Sequence, residues 1–70
     1  VALSYGKVAI SRRVMVNLTD GSAIEGVLWD ERRPLLVLRS ASLHTHGQHA
    51  PLDGEVVIHA DRVLFVQVVS

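Results

Sequence analysis

The stretch GEVVIHADRVLFVQVV, Gly54–Val69, divides into two short apolar runs, Glu55–His59 and Val63–Val69, around an Ala60-Asp61-Arg62 corner. Val63–Val69 is apolar at every position except Gln67. A strand with one wet face alternates, whereas one that is apolar throughout is covered on both faces. A chain of 70 residues has little else with which to cover the second face. Domains this small bury a modest share of their surface and commonly add disulfides, a metal or oligomerisation. There is no cysteine, so disulfides and thiolate metal sites are excluded. A second copy of the chain is the expected cover for Val63–Val69.

Outward from this stretch, the composition favours strands. The hydrophobic fraction is 49%, drawn mostly from Val, Leu and Ile, with Tyr5, Trp29 and Phe65 the only aromatics. Lys plus Arg and Asp plus Glu are 7 each, which argues against a protein that holds nucleic acid by bulk charge alone. No apolar run reaches the ~18 residues of a membrane span, and the first residues lack the basic and apolar regions of a signal peptide. The expected setting is the cytoplasm, with no membrane partner. Val1, read as a GUG start, suggests a bacterial or phage gene, in which case a virion-associated component is the expected setting.

Val14–Thr19 alternates as a strand, Val14, Val16 and Leu18 pointing one way. Asp20-Gly21 follows as a hairpin turn, and Ala23–Asp30 returns, with Gly26 inside it as the expected site of a sharp bend. Glu31-Arg32-Arg33-Pro34 reads as a turn, because Pro34 fixes φ and donates no hydrogen bond. Leu35–Arg39 is a third strand. Ser40–Asp53, rich in Ser, His and Gly, reads as a polar loop or irregular hairpin. Val1–Arg13 is expected to be a short helix or arm. The whole is a single all-β domain over residues 1–70, five strands bent strongly enough to close into a small SH3-like barrel that avoids open edges.

This order of features resembles the Sm and Sm-like (LSm, Hfq-type) proteins. The first Sm block corresponds to residues 14–39: Val14-Met15-Val16-Asn17-Leu18-Thr19-Asp20-Gly21, then Ile24-Glu25-Gly26-Val27-Leu28, then Leu36-Val37-Leu38. Residues 40–53 correspond to a variable loop. The second block corresponds to residues 54–70, with Ile58-His59-Ala60-Asp61-Arg62-Val63-Leu64-Phe65-Val66 at its centre. The resemblance implies a homo-oligomeric ring in which the fourth strand of one subunit pairs with the fifth of the next, giving Val56, Val57, Ile58, Val63, Leu64, Phe65 and Val66 as the subunit interface. It also implies where RNA would lie. Sm proteins hold single-stranded RNA through an Asp-x-apolar-x-Asn-type turn before the third strand and the Arg-Gly of the second block. Here the turn is Asp30-Glu31-Arg32-Arg33-Pro34-Leu35, without the Asn, and the Arg-Gly is His59-Ala60. The nucleic-acid candidates are therefore Asp30, Arg32, Arg33, His59 and Arg62.

Two further sets of side chains invite chemistry. His44, His46 and His49, with His59 as a fourth imidazole, are candidate zinc ligands, against the simpler reading of a solvated polar loop that holds no metal. Arg12, Arg13, Arg32, Arg33, Arg39 and Arg62 can grip phosphate, or can pair with Glu25, Asp30, Glu31, Glu55 and Asp61; with zero net charge, pairing is favoured. Trp29 on a barrel strand is expected in the core or an interface rather than as a stacking platform. No nucleophile–base–orienter set can be assembled, so no enzyme and no cofactor is expected. The degraded RNA motif gives first place to an architectural or assembly ring with protein partners on one face. The alternative is a ring that binds single-stranded RNA.

Overall fold

A computed structural model of the chain describes residues 9–70. Six strands, all antiparallel to their neighbours, follow one another: β1 (Arg13–Leu18), β2 (Ala23–Arg32), β3 (Leu35–Thr45), β4 (Gln48–Leu52), β5 (Val56–His59) and β6 (Val63–Val68). A single 3-10 turn, Ala60–Arg62, joins β5 to β6. The sheet order is β4-β3-β2-β1-β6, and β5 also pairs with β3. The five expected strands are all present in this all-β barrel-like sheet. The sixth, β4, falls in residues 40–53, and of the two readings of that segment, polar loop or irregular hairpin, the structure has the hairpin: β3 continues through Ser40 to Thr45, and β4 runs back along it with Ala41 opposite Leu52 and Thr45 opposite Gln48. The hairpin turns at His46-Gly47, both with positive φ (49° and 79°), the conformation of a tight two-residue hairpin turn.

Alternation builds the interior. Val14 and Val16 of β1, Ile24 and Leu28 of β2, Leu36, Leu38 and Ala41 of β3 and Ile58 of β5 are buried around one core, with Ala9 against it. Cross-strand register keeps these residues on one face: Val16 opposite Ile24, Leu28 opposite Leu38, Leu36 opposite Ile58. The β1–β2 turn is tied by Asp20, whose Oδ1 accepts from the Ser22 amide (2.9 Å) and the Ser22 hydroxyl (2.6 Å). Of the expected N-terminal helix or arm, residues 1–8 lie outside the described residues. Beyond them, the Ser11 amide donates to the Leu28 carbonyl at 2.7 Å, and the Leu28 amide donates to the Arg12 carbonyl at 3.0 Å.

The bend expected at Gly26 is present, and it crosses the whole sheet. Between Glu25 and Val27, β2 contributes Gly26 where β3 contributes Ser40 and Ala41, an extra residue that leaves Ser40 at φ 51°. On the other side of β3, Asp53, Gly54 and Glu55 stand opposite Arg39 and Ser40, so that β4 and β5 are separated at the same level. Extra residues of this kind bend a strand and increase its twist. A Cβ built on Gly26 would lie 3.0 Å from the Arg39 carbonyl oxygen and 3.1 Å from both Cα and Cβ of Ala41. Two backbones therefore approach more closely there than a side chain permits.

Closure is incomplete in a single chain. β5 pairs only with β3, and β6 only with β1. The outer edges of both strands are unpaired among the described residues.

Gly26→Ala is expected to destabilise the fold by about 1–3 kcal/mol, the cost of forcing a methyl into a filled site. Urea or thermal unfolding at fixed protein concentration reads this, and an unchanged midpoint would show that the bend tolerates the methyl.

Candidate functional site

The two turns flagged for nucleic acid meet at one end of the sheet. β2 and β3 are joined across Arg33-Pro34, with Arg32 opposite Leu35, and Leu35 in turn stands opposite His59. The Ala60 amide, first in the 3-10 turn, donates to the Pro34 carbonyl at 2.7 Å. The other side of the corner is tethered as well, the Thr19 amide donating to the Arg62 carbonyl at 2.9 Å. Asp30, Arg32, Arg33, His59 and Arg62 thus lie on two touching turns, although 30 and 62 are remote in sequence. Pro34 and Ala60 join this set through backbone atoms alone, which side-chain chemistry in the sequence does not signal.

The side chains of this lip have defined partners. Asp30 accepts from its neighbour Glu31's amide at 2.8 Å and from Arg32 Nε at 2.9 Å. The Arg32 hydrogen bond holds the Asp30 carboxyl below its ordinary pKa of 3.8, with the Glu31 amide adding to the effect. His59 caps the 3-10 turn, its Nδ1 accepting from the Asp61 amide at 3.2 Å and lying 3.6 Å from Asp61 Oδ2. Arg33 and Arg62 are exposed and form no ion pair among the described residues. The remaining arginines are occupied: Arg13 with Glu25 (3.7 Å), Arg32 with Asp30 (2.9 Å), Arg39 with Glu55 (2.7 Å), and Arg12 with the Ser70 carbonyl (3.0 Å).

Of the two places expected for Trp29, core or interface, the core is ruled out: it is 49% exposed, because it is an extra residue on β2, Leu28 standing opposite Leu38 and Asp30 opposite Val37 with no β3 residue opposite Trp29. The Arg39 guanidinium covers its ring at 3.9 Å, a cation–π contact, while Glu55 holds that guanidinium from the far side of the bend.

The residues expected at a subunit interface divide by orientation. Val57 is 57% exposed, Leu64 65% and Phe65 50%. Val56, Val63 and Val66 are half-buried against the core. Ile58 is corrected to a core residue, 6% exposed and packed opposite Leu36; only its backbone faces the open edge. Leu64 is the extra residue of a bulge between Phe65, opposite Asn17, and Val63, opposite Leu18. That bulge shifts the phase of the strand at Leu64, and the rest of the missing alternation is exposed apolar surface, Phe65 and Val69 among it.

The histidines do not come together as a triad. His44 and His49 are cross-strand partners with ring centroids 4.0 Å apart, and His44 Nε2 lies 3.2 Å from Glu25 Oε1. His46 sits in the tight turn. Among the described residues no group of three His, Cys, Asp or Glu is arranged to hold a metal ion, and no helix is long and apolar enough to cross a membrane.

No protein-family model matches the chain, and no curated protein matches it. Solved structures do. A heptameric archaeal Sm protein superposes with a TM-score of 0.80 at 28% identity, covering 91% of this chain and 94% of that one. The Pyrococcus abyssii Sm protein in complex with a uridine heptamer superposes with a TM-score of 0.79 at 25% identity, covering 87% of each chain. The P. aerophilum SmAP1 heptamer gives a TM-score of 0.81 over 99% of both chains at 24% identity, a likeness of fold. The fold is Sm-like.

Carboxyl titrations by NMR are expected to place Asp30 and Asp20 below 3.8, Asp20 through its two Ser22 hydrogen bonds. Groups lowered in the folded state stabilise it above the unfolded pKa, and that contribution is lost as pH falls through the folded value. Acid destabilisation from these two groups therefore begins below about pH 4. Arg32→Gln is expected to raise Asp30 and leave Asp20 unmoved; joint movement would contradict the separate hydrogen-bond origins.

Proposed function

We propose that this Sm-like chain is a non-enzymatic RNA-binding subunit: copies joined edge to edge through β5 and β6 form a homo-oligomeric ring, and the Arg33-Pro34 turns and His59–Arg62 corners repeated around it hold single-stranded RNA. The observation that carries this reading is the Ala60-to-Pro34 hydrogen bond at 2.7 Å, which fastens the two motif turns into one lip. Its likeness to a uridine-bound Sm protein over 87% of the chain favours RNA over a purely architectural ring.

Assembly has a physical basis in the single chain. The unpaired edges of β5 and β6 carry backbone donors and acceptors that another strand can satisfy. Val57, Leu64 and Phe65 supply exposed apolar surface beside those edges. A contact of β5 on one copy with β6 on the next is head-to-tail, and such contacts close into rings when the rotation allows.

The chemistry of the lip suits a polyanion in spite of zero net charge. Arg12, Arg13, Arg32 and Arg39 have partners within the chain, whereas Arg33 and Arg62 are exposed on the lip itself. One lip offers few contacts, and a strand that crosses several copies gains avidity without any new type of contact. Asp30, His59 and backbone atoms of the turns are the groups available to base edges; protein partners on a ring face remain compatible with the same assembly.

Light scattering and fluorescence anisotropy test the two halves separately. A ring is expected in solution at micromolar concentration, and Phe65→Asp with Leu64→Arg is expected to dissociate it. Labelled oligouridine is expected to bind the ring with an affinity that falls steeply with salt, and Arg33→Ala with Arg62→Ala is expected to flatten that dependence. A monomer at that concentration overturns the ring. A flat titration by the intact ring overturns RNA binding and leaves an architectural role.

A further inference from the structure

His59 has its two ring nitrogens in different situations. Nδ1 accepts from the Asp61 amide at 3.2 Å. An imidazole that accepts at Nδ1 must carry its proton on Nε2. The neutral ring therefore keeps Nε2–H as a donor while Nδ1 serves the backbone of the 3-10 turn. Asp61 Oδ2 lies 3.6 Å from that same Nδ1, close to hydrogen-bonding range without occupying it.

Protonation changes this wiring. A second proton on Nδ1 meets the Asp61 N–H donor head on, and the Asp61 carboxylate beside it becomes the acceptor. The corner thus has two alternative arrangements: neutral His59 held by the Asp61 amide, and cationic His59 held by the Asp61 carboxylate. The surroundings bear on the balance. From the 3-10 turn come Asp61 and Arg62; from β3, opposite His59, comes apolar Leu35; from the turn bonded to Ala60 come Arg33 and the Asp30–Arg32 pair. Asp61 is the one ion-pair partner of His59 among the described residues.

We propose that His59 makes RNA binding by this chain pH-dependent, its protonation adding one cation to the lip of every subunit and so tightening the grip on phosphate as pH falls. The inference rests on the RNA-binding reading and gives that site a regulation. Reciprocity follows from linkage: RNA that binds the cationic form more tightly must also favour protonation of His59. Repetition around a ring multiplies the effect of one small group. The other imidazole pair, His44 and His49, stands toward the far end of β3, while Leu35 at its start meets His59.

Oligouridine anisotropy at constant ionic strength, from about pH 8 to about pH 5.5, spans the range in which an imidazole changes charge. Affinity of the intact ring is expected to rise about tenfold or more on acidification, with a steeper salt dependence at the acid end. His59→Gln keeps polar donor and acceptor atoms without the titration, and its binding is expected to be level across the same range. Asp61→Asn removes the acceptor for the imidazolium and is expected to displace the rise to lower pH. Nitrogen-15 NMR is expected to find the Nε2–H tautomer at the alkaline end. A level wild-type profile, the same profile in His59→Gln, or an Nδ1–H tautomer overturns the pH dependence and leaves RNA binding intact. No binding by the ring at any pH overturns the RNA reading and the regulation with it.

Discussion

Close backbone contact at Gly26 is the constraint on which the rest of the structure depends. A flat sheet of this length encloses nothing. Here the approach of β2 to the Arg39 carbonyl and Ala41, the extra residue on β3 at Ser40 and the break between β4 and β5 fall at one level. The sheet folds over on that line, and side chains from both halves share a core, Val14 and Ile24 with Leu38 and Ile58. The same geometry brings the start of β3 against the end of β5, so that the Ala60 amide reaches the Pro34 carbonyl. Arg39 braces the outer side of the bend between Trp29 and Glu55. The pair is exposed, so its contribution is modest beside the packing within.

Bending also decides what is left undone. β5 and β6 follow with Ile58 in the core and Val56, Val63 and Val66 packed against it, and with their outer edges bare among the described residues. Val68 aligns with buried Val14, yet it is 41% exposed, and among the described residues no strand lies beyond β6. Long open edges with apolar side chains invite pairing with another chain, and nothing in this stretch blunts them: β6 contains no proline and no charged residue. The apolar excess of Val63–Val69 and the open edges are therefore two aspects of one feature, the first visible in composition and the second in hydrogen bonding.

Sequence patterning revealed the strands where alternation was strong and lost them where bulges intervened. Val14, Val16 and Leu18 alternate, and β1 was legible almost to the residue. Gly26 was legible because few other roles put glycine inside an apolar strand. The β3–β4 hairpin was legible only as one of two readings of Ser40–Asp53, because Gln48, His49, Ala50 and Pro51 are all exposed and a two-stranded projection with little buried surface has no apolar period. Its turn was hidden too, since His46 occupies the left-handed position where Asn or Asp is the usual signal. Trp29 could be narrowed only to core or interface, because the extra residue on β2 that turns it outward leaves no mark in the sequence. Ile58 was assigned to an edge that its backbone does line, while its side chain packs inward. For the site, the types and turns of Asp30, Arg33, His59 and Arg62 could be read, but their contact depends on backbone atoms of Pro34 and Ala60.

Charge shows how the site differs from the chain as a whole. Seven cations against seven anions describe a neutral protein, and a neutral protein exerts little long-range attraction on RNA. Attraction at contact distance depends instead on which charges are already spent. Glu25, Asp30 and Glu55 take Arg13, Arg32 and Arg39 along the body of the sheet and the approach to the lip. Arg33 and Arg62 stay exposed on the lip, with His59 beside them. Within a Debye length of about 8 Å at physiological salt, a strand on that lip meets these groups before it feels the balanced remainder. Asp61 and the nearby Asp20 share that corner with Arg62, so what the pairing leaves at the lip is two exposed guanidinium groups rather than a net excess of charge, and such groups act at contact distance in a chain that is neutral as a whole.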